Sequence, residues 1–189
     1  YKRQSISQRA VIIGSLINQD MTIEGFLNGE DPISTINALN AIGSSIEINN
    51  TSVTIKKRET AFSSPKDDVD LGNSGTGMRL MMGLISSLGI NVRLVGDKSL
   101  SKRPMLRVSE PLNSMGANIL CRDGMPPVQI TKGNIKNNFS YDMPIASAQV
   151  KSSIILAALA ANESVTVKEK YQTRNLSLIH ISEPTRQQG

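Results

Sequence analysis

The sequence predicts an α/β fold of the α+β type, built from repeated units of strand, helix, strand, helix, strand and strand. Three segments, each a patch of small or hydroxyl residues, one cation and an apolar helical run, centre on Arg9, Arg79 and Lys151, which are 70 and 72 residues apart. A second pair of segments, "ALNAIGSSIEI" and "PLNSMGANILC", aligns Gly43 with Gly116 at a spacing of 73 residues. A fixed period of this length is typical of units that bury their apolar faces against one another.

The first helix of each unit is predicted where apolar residues recur at helical spacing, near Ser7, Thr76 and Ala148, and the strand that leads into it is the least distinct element. A short alternating strand follows, read from "MTIEGF", "INVRLV" and "SVTVKE". A second helix opens behind Pro32 and again behind Pro104, because proline is favoured at helix starts. This second helix is predicted to end at the aligned glycine, which suits a left-handed C-cap.

Two further strands complete each unit. They are read from "IEI" and "SVTIKK", and from "ANILC" and "PVQIT", each pair separated by turn residues. This pattern predicts two complete units and a third that begins near Asp142, so residues 1–175 form a domain of about two and a half repeats.

Composition narrows the classes of ligand. The chain has 189 residues, 39% of them hydrophobic, a net charge of +5 and no tryptophan. The charge favours acidic partners, but scattered basic residues and few aromatic rings disfavour nucleic acid against a small phosphorylated ligand. The single cysteine, Cys121, lies in an apolar stretch and is interpreted as a structural thiol, so an intrachain disulfide or a cysteine-based metal site is excluded. No apolar run is long enough to cross a membrane, which predicts a cytoplasmic protein.

The stretch "LGNSGTGMR", residues 71 to 79, suggests an anion site. Small residues ahead of a helix let a ligand approach the unpaired N–H groups and the positive end of the helix dipole. The alternative is an ordinary turn with an N-cap, and the glycine spacing fits neither the P-loop nor the dinucleotide motif. If the units pack about a common axis, three such helix starts meet at one edge, which suits a ligand with several anionic groups.

Five segments together resemble the 5-enolpyruvylshikimate-3-phosphate synthase family. They are "LGNSGTGMR", "GDKSLSKRPM" and "SAQVKSSIILAAL", with "SISQRAVIIGSLI" and "GEDPISTINALNAIG" in the first unit. The resemblance covers about residues 5–175 and implies two domains, each of three units around a pseudo-threefold axis, with the active site between them. This chain would then supply most of the N-terminal domain.

The resemblance implies transfer of the enolpyruvyl group from phosphoenolpyruvate to the 5-hydroxyl of shikimate-3-phosphate, with release of phosphate, in the shikimate pathway of aromatic amino acid biosynthesis. It implies no metal, no cofactor, no nucleic acid and no membrane partner, and a monomer at full length. Holding two phosphates and nearby carboxylates requires dense positive potential from arginine, lysine and helix ends. The catalytic acid and base are expected in the missing half, so the chain alone is predicted to be inactive.

Residue by residue, the resemblance implies substrate-binding positions only. Gly75 and Arg103 match positions at phosphoenolpyruvate, Gln149 reaches both ligands, and Asn73 lies in the Gly75 loop. The positions implied for shikimate-3-phosphate are Ser5, Arg9, Ser147, Ala148 and Arg174. For Ser5 and Ser147 the alternative is that they only cap a helix. For Arg79 and Lys151 the alternative is that they are ordinary surface cations.

The chain departs from the family pattern at both ends. Gln4 stands where the family motif has a lysine, and residues 176–189, which include His180, form a foreign-looking tail that resembles translated adapter sequence. Two alternatives remain open. One is a UDP-N-acetylglucosamine enolpyruvyl transferase, which typically carries a cysteine in the loop that here reads "GDKSLSKRP"; the other is a non-catalytic phosphate-binding fragment.

Overall fold

The computed structural model describes residues 2–169; Arg174, His180 and the tail 176–189 lie outside the described residues. The helices are α1 (Lys2–Ile17), α2 (Glu30–Ala41), α3 (Gly75–Ile85), α4 (Leu106–Ser114) and α5 (Ala148–Ala161), and a 3-10 turn covers Leu100–Lys102. The strands are β1 (Met21–Ile23), β2 (Ser45–Asn49), β3 (Ser52–Lys56), β4 (Val69–Asp70), β5 (Val92–Val95), β6 (Asn118–Arg122), β7 (Met125–Thr131), β8 (Phe139–Met143) and β9 (Val165–Glu169).

The three sheets repeat one pairing pattern. The first has the order β1-β3-β2 and the second β4-β5-β7-β6, with β5, β7 and β6 paired antiparallel as β1, β3 and β2 are. The leading strand is parallel to its neighbour in β4-β5 and again in β8-β9. The predicted repeat is therefore confirmed; within residues 2–169 the first unit is described from α1 onwards.

Equivalent hydrogen bonds hold the second helix in the first two units. The Asn40 side chain donates to the Ile46 carbonyl at 3.0 Å and accepts from the Ile46 N–H at 2.9 Å. Asn113 makes the same pair of bonds with Ile119, both at 2.9 Å. The glycines predicted after these helices have φ values of +109° and +108°, which side-chain-bearing residues rarely adopt, so this prediction is confirmed.

The starts of the first helices follow the prediction in two of three units. Helices α3 and α5 begin within one residue of the predicted positions, and Ser147 caps α5 by accepting from the Val150 N–H at 3.4 Å. Helix α1 instead begins five residues before Ser7, because the preceding residues have good helix propensity and no glycine or proline stops the helix. The N-cap alternative for Ser5 is therefore wrong, since Ser5 lies inside α1.

Helices α3 and α5 run parallel and pack closely through small residues. Ser153 Oγ donates to the Arg79 carbonyl at 2.7 Å, and just beyond the end of α3 Ser87 Oγ donates to the Ala157 carbonyl of α5 at 2.7 Å. A Cβ at Gly83 would lie 2.2 Å from the Ser153 carbonyl oxygen, so only glycine permits this approach. Nine of the 11 residues of α3 are buried. The parallel packing places the starts of α3 and α5 at one end of the protein.

Candidate anion-binding cleft

The first turns of several helices surround a cleft of about 260 Å³. Helices α1, α2, α3 and α5 each contribute residues, and the segment after the 3-10 turn adds one more. The lining residues are Gln4, Ser5, Gln8, Asp31, Gly75, Thr76, Arg79, Arg103 and Gln149. The cleft thus brings together four residues that the sequence proposed separately, namely Ser5, Gly75, Arg103 and Gln149.

Helix α3 meets the cleft with a glycine, Gly75, as its first residue. Ser74 is its N-cap, and its Oγ accepts from the Gly77 N–H at 3.0 Å. A Cβ at Gly75 would lie 3.1 Å from Nη1 of Arg103 and 3.1 Å from Nη1 of Arg79. Two guanidinium groups therefore converge over this glycine, beside the positive end of the helix dipole.

Backbone and amide oxygens hold both guanidinium groups in place. Arg103 donates to the Asn73 carbonyl at 3.4 Å, to the Asn73 side-chain oxygen and to Ser99 Oγ at 3.3 Å. Arg79 donates to the Gly75 carbonyl at 3.2 Å and to the Pro104 carbonyl at 3.0 Å. Within residues 2–169 neither arginine forms a salt bridge with a carboxylate. Asn73 thus orients Arg103, and both cations keep charge available for an anion.

The electrostatics of Arg79 indicate crowding by positive charge. Burial, followed by repulsion from Arg103 and Arg107, lowers the pKa of Arg79. Arginine remains protonated in proteins despite such a shift, so the repulsion persists in the folded state. An anion between the guanidinium groups relieves this repulsion. Arg79 lines the cleft, and its contact with a ligand stays a prediction.

One carboxylate also lines the cleft. Burial raises the pKa of Asp31; the charge of Arg103 opposes this shift and that of Glu30 adds to it. Asp31 was not predicted from the sequence, because acidic residues at a helix start are ordinary partners of the helix dipole. Only the structure shows that Asp31 lines the same cleft as Arg103.

Two side chains join α5 to its neighbouring helices at the cleft end. Gln149 donates to Thr76 Oγ1 at 2.9 Å, which links α5 with α3. Arg9 does not line the cleft; it donates to Ser152 Oγ at 3.1 Å and to the Ser5 carbonyl at 2.9 Å, and burial lowers its pKa. The ligand contact implied for Arg9 stays a prediction.

The other positions implied by the family resemblance differ in whether they line the cleft. Ser147 and Ala148 stand at the start of α5 but are not among the lining residues, so their roles stay predictions. Gln4 does line the cleft, and it brings an uncharged amide to the position where the family motif has a lysine.

Lys151 and Cys121 are two further residues considered from the sequence. Lys151 pairs with Glu169 at 2.8 Å, with side chains only 12% and 17% exposed, so it ties α5 to β9. Burial raises the pKa of the Cys121 thiol, which disfavours a nucleophilic thiolate. Among residues 2–169, no three His, Cys, Asp or Glu side chains cluster as a metal site would require.

Comparisons with known proteins identify the family. The sequence profile of EPSP synthase (3-phosphoshikimate 1-carboxyvinyltransferase) matches residues 3–182. The 3-phosphoshikimate 1-carboxyvinyltransferase of Thermoanaerobacter sp. (strain X514) is 45% identical over 172 residues, which cover 91% of this chain and 41% of that protein. The same enzyme of Enterococcus faecalis is 41% identical over 189 residues, 98% of this chain and 43% of that protein.

A solved structure of EPSP synthase from Acinetobacter baumannii superposes with a TM-score of 0.81 at 40% identity, covering 91% of this chain and 40% of that one. The predicted enolpyruvyl transferase fold is thereby confirmed, although the chain spans only about two fifths of the length of these relatives. None of the helices within residues 2–169 has the length and apolarity needed to span a bilayer. The chain belongs to the EPSP synthase (3-phosphoshikimate 1-carboxyvinyltransferase) family.

Proposed function

We propose that this chain forms the substrate-holding N-terminal part of an enzyme that transfers the enolpyruvyl group of phosphoenolpyruvate to the 5-hydroxyl of shikimate-3-phosphate and releases phosphate. The observation that carries the proposal is the convergence of Arg79 and Arg103 over Gly75, at the start of α3. Membership of the family supports the identity of the substrates.

The chemistry of this half is the binding and orientation of anions. The two guanidinium groups and the α3 N-terminus suit a phosphate or carboxylate, and Gln149 and Ser5 add uncharged hydrogen-bonding groups to the lining of the cleft. Holding the enol ether carbon beside the attacking hydroxyl lowers the entropic part of the barrier. The proton that the neighbouring methylene carbon gains on addition and loses again as phosphate leaves, and the base that deprotonates the hydroxyl, are assigned to the part of the enzyme beyond this chain.

Two alternative functions were left open by the sequence. The family match does not favour a UDP-N-acetylglucosamine enolpyruvyl transferase. A phosphate-binding fragment without turnover describes the chain taken alone, and it is compatible with the proposed role of the whole protein. The contacts of Arg9, Ser147, Ala148 and Arg174 with substrate, the cytoplasmic location and the monomeric state at full length stay predictions.

Two measurements on the purified 189-residue chain test the proposal. Calorimetric titration with shikimate-3-phosphate is expected to show weak binding that falls as salt rises, because charge-assisted contacts carry the affinity. Incubation with both substrates is expected to release no phosphate above a no-protein blank. The absence of binding at low salt would contradict the substrate assignment, and turnover by the chain alone would contradict the assignment of acid and base to the missing part.

A further inference from the structure

Gln8 is a buried polar residue at the back of the cleft. It lies on α1, one turn after Ser5, and is 1% exposed. Its Nε2 donates to Ser74 Oγ at 2.8 Å and to Thr35 Oγ1 at 2.9 Å, and it lies 3.3 Å from the Asp31 carbonyl oxygen. One amide group thus bonds to α2 and to the cap of α3 from its position on α1.

The surrounding groups determine which way this amide points. The Thr35 hydroxyl donates its own proton to the Asp31 carbonyl at 3.0 Å, so its oxygen faces Gln8 as an acceptor. The Asp31 carbonyl is an acceptor only. The nitrogen of Gln8, and not its oxygen, must therefore face both groups, which is the arrangement that the structure has.

The second glycine of "GTG" makes room for this contact. A Cβ at Gly77 would lie 2.7 Å from Ser74 Oγ, 2.8 Å from Thr35 Oγ1 and 3.1 Å from Gln8 Nε2. Such distances would force the three polar groups apart. Ser74 Oγ receives the Gly77 N–H as well as the Gln8 amide, so the cap of α3 and the Gln8 contact share one oxygen.

We propose that Gln8 is a positioning residue for the anion cleft: its amide ties the N-cap of α3 to α1 and α2 and so fixes where the N-terminus of α3 meets the ligand. The inference rests on the proposed function. Gln8 acts through Ser74, because the Gly77 N–H and the Gly75 backbone move with that cap. Without the amide, the start of α3 retains its helix but loses its placement in the cleft.

The test compares Gln8→Met with Ser15→Ala in the 189-residue chain. Methionine keeps the length of the side chain and removes the donor. Ser15→Ala removes a buried hydrogen bond to the Val11 carbonyl, 2.9 Å long, at the far end of the same helix. Sulfate affinity is measured by NMR titration, and stability by urea unfolding. We expect Gln8→Met to bind sulfate about tenfold more weakly and Ser15→Ala to bind like the wild type, although both lose stability.

Equal sulfate affinity in Gln8→Met and the wild type would overturn the inference. Should Gln8→Met fail to fold, the pair Thr35→Val and Thr35→Ser replaces it, because Thr35 contacts the Gln8 amide without lining the cleft. Thr35→Val is expected to weaken sulfate binding and shift the Gly77 amide resonance, and Thr35→Ser to restore both; identical behaviour of the two variants would overturn the inference. Failure of the proposed function is a separate result, since it shows in the wild type as a lack of shikimate-3-phosphate binding.

Discussion

Replacement of Gly75 by alanine should weaken anion binding without destabilising the fold. The added Cβ would stand 3.1 Å from Nη1 of both Arg79 and Arg103, and 3.7 Å from Arg103 Cδ. These atoms belong to the ends of flexible side chains, which can shift by a few tenths of an ångström. The φ angle of Gly75 is not positive and the residue opens α3, so alanine is compatible with the backbone.

The magnitude follows from the two opposing effects on the same residue. Alanine in a helix is favoured over glycine by about 1 kcal/mol, which offsets the displacement of the arginines, so the free energy of unfolding should change by less than about 1 kcal/mol. For the ligand, the methyl group occupies space at the helix N-terminus and disturbs charge-assisted contacts worth about 1.5 to 3 kcal/mol each. Loss of one contact corresponds to a fall in affinity of about tenfold or more.

The assay is calorimetric titration of the Gly75→Ala chain with phosphoenolpyruvate and with sulfate, beside urea unfolding of the same sample. Gly83→Ala is the matched control, since Gly83 does not line the cleft and its Cβ would meet the Ser153 backbone at 2.2 Å. We expect that control to lose about 3 kcal/mol or more of stability, or not to fold, because backbone cannot move aside. Unchanged affinity in Gly75→Ala, or a stability loss like that of Gly83→Ala, would refute the placement of Gly75 at the ligand.

Two further predictions concern charge. Because burial raises the pKa of Asp31, its carboxylate takes up a proton at a higher pH than an ordinary aspartate, so sulfate should bind more tightly as pH falls through that raised pKa. Asp31→Asn should bind more tightly near neutral pH and flatten this dependence in a pH series of titrations; a steep dependence in Asp31→Asn would contradict the assignment. Lys151→Ala leaves Glu169 unpaired and should lower the free energy of urea unfolding by about 2 kcal/mol with sulfate affinity unchanged. A fall in affinity would place Lys151 at the ligand instead.

Local signals in the sequence predicted most of the fold. Gly43 and Gly116 mark helix ends through a backbone conformation that few other residues adopt, and this requirement is independent of the rest of the protein. The start of α1 was misplaced because "SISQRA" resembles the other two helix starts, whereas the residues before it continue the helix. Helix propensity is a weak signal beside a repeated motif, and here it decided the boundary.

The candidate cleft was only partly predictable. Gly75, Arg103 and Gln149 were found through motifs, and the structure brings them to one cleft. Asp31 and Gln8 were missed because their importance lies in contacts between helices that are 23 to 66 residues apart along the chain. An isolated glutamine on a helix carries no local sign that it will be buried against the cap of a neighbouring helix.

The central claim is that the starts of α1, α3 and α5 form one anion-binding cleft, and NMR mapping tests it most directly. The uniformly nitrogen-15-labelled chain is titrated with shikimate-3-phosphate at low salt, and amide shifts are followed residue by residue. We predict that the largest shifts fall on Ser5, Gly75, Thr76 and Gln149, and that Arg103→Ala reduces them together. Shifts spread over the surface, or centred on the groove between α2 and β4 near Asn37 and Asp70, would contradict the claim.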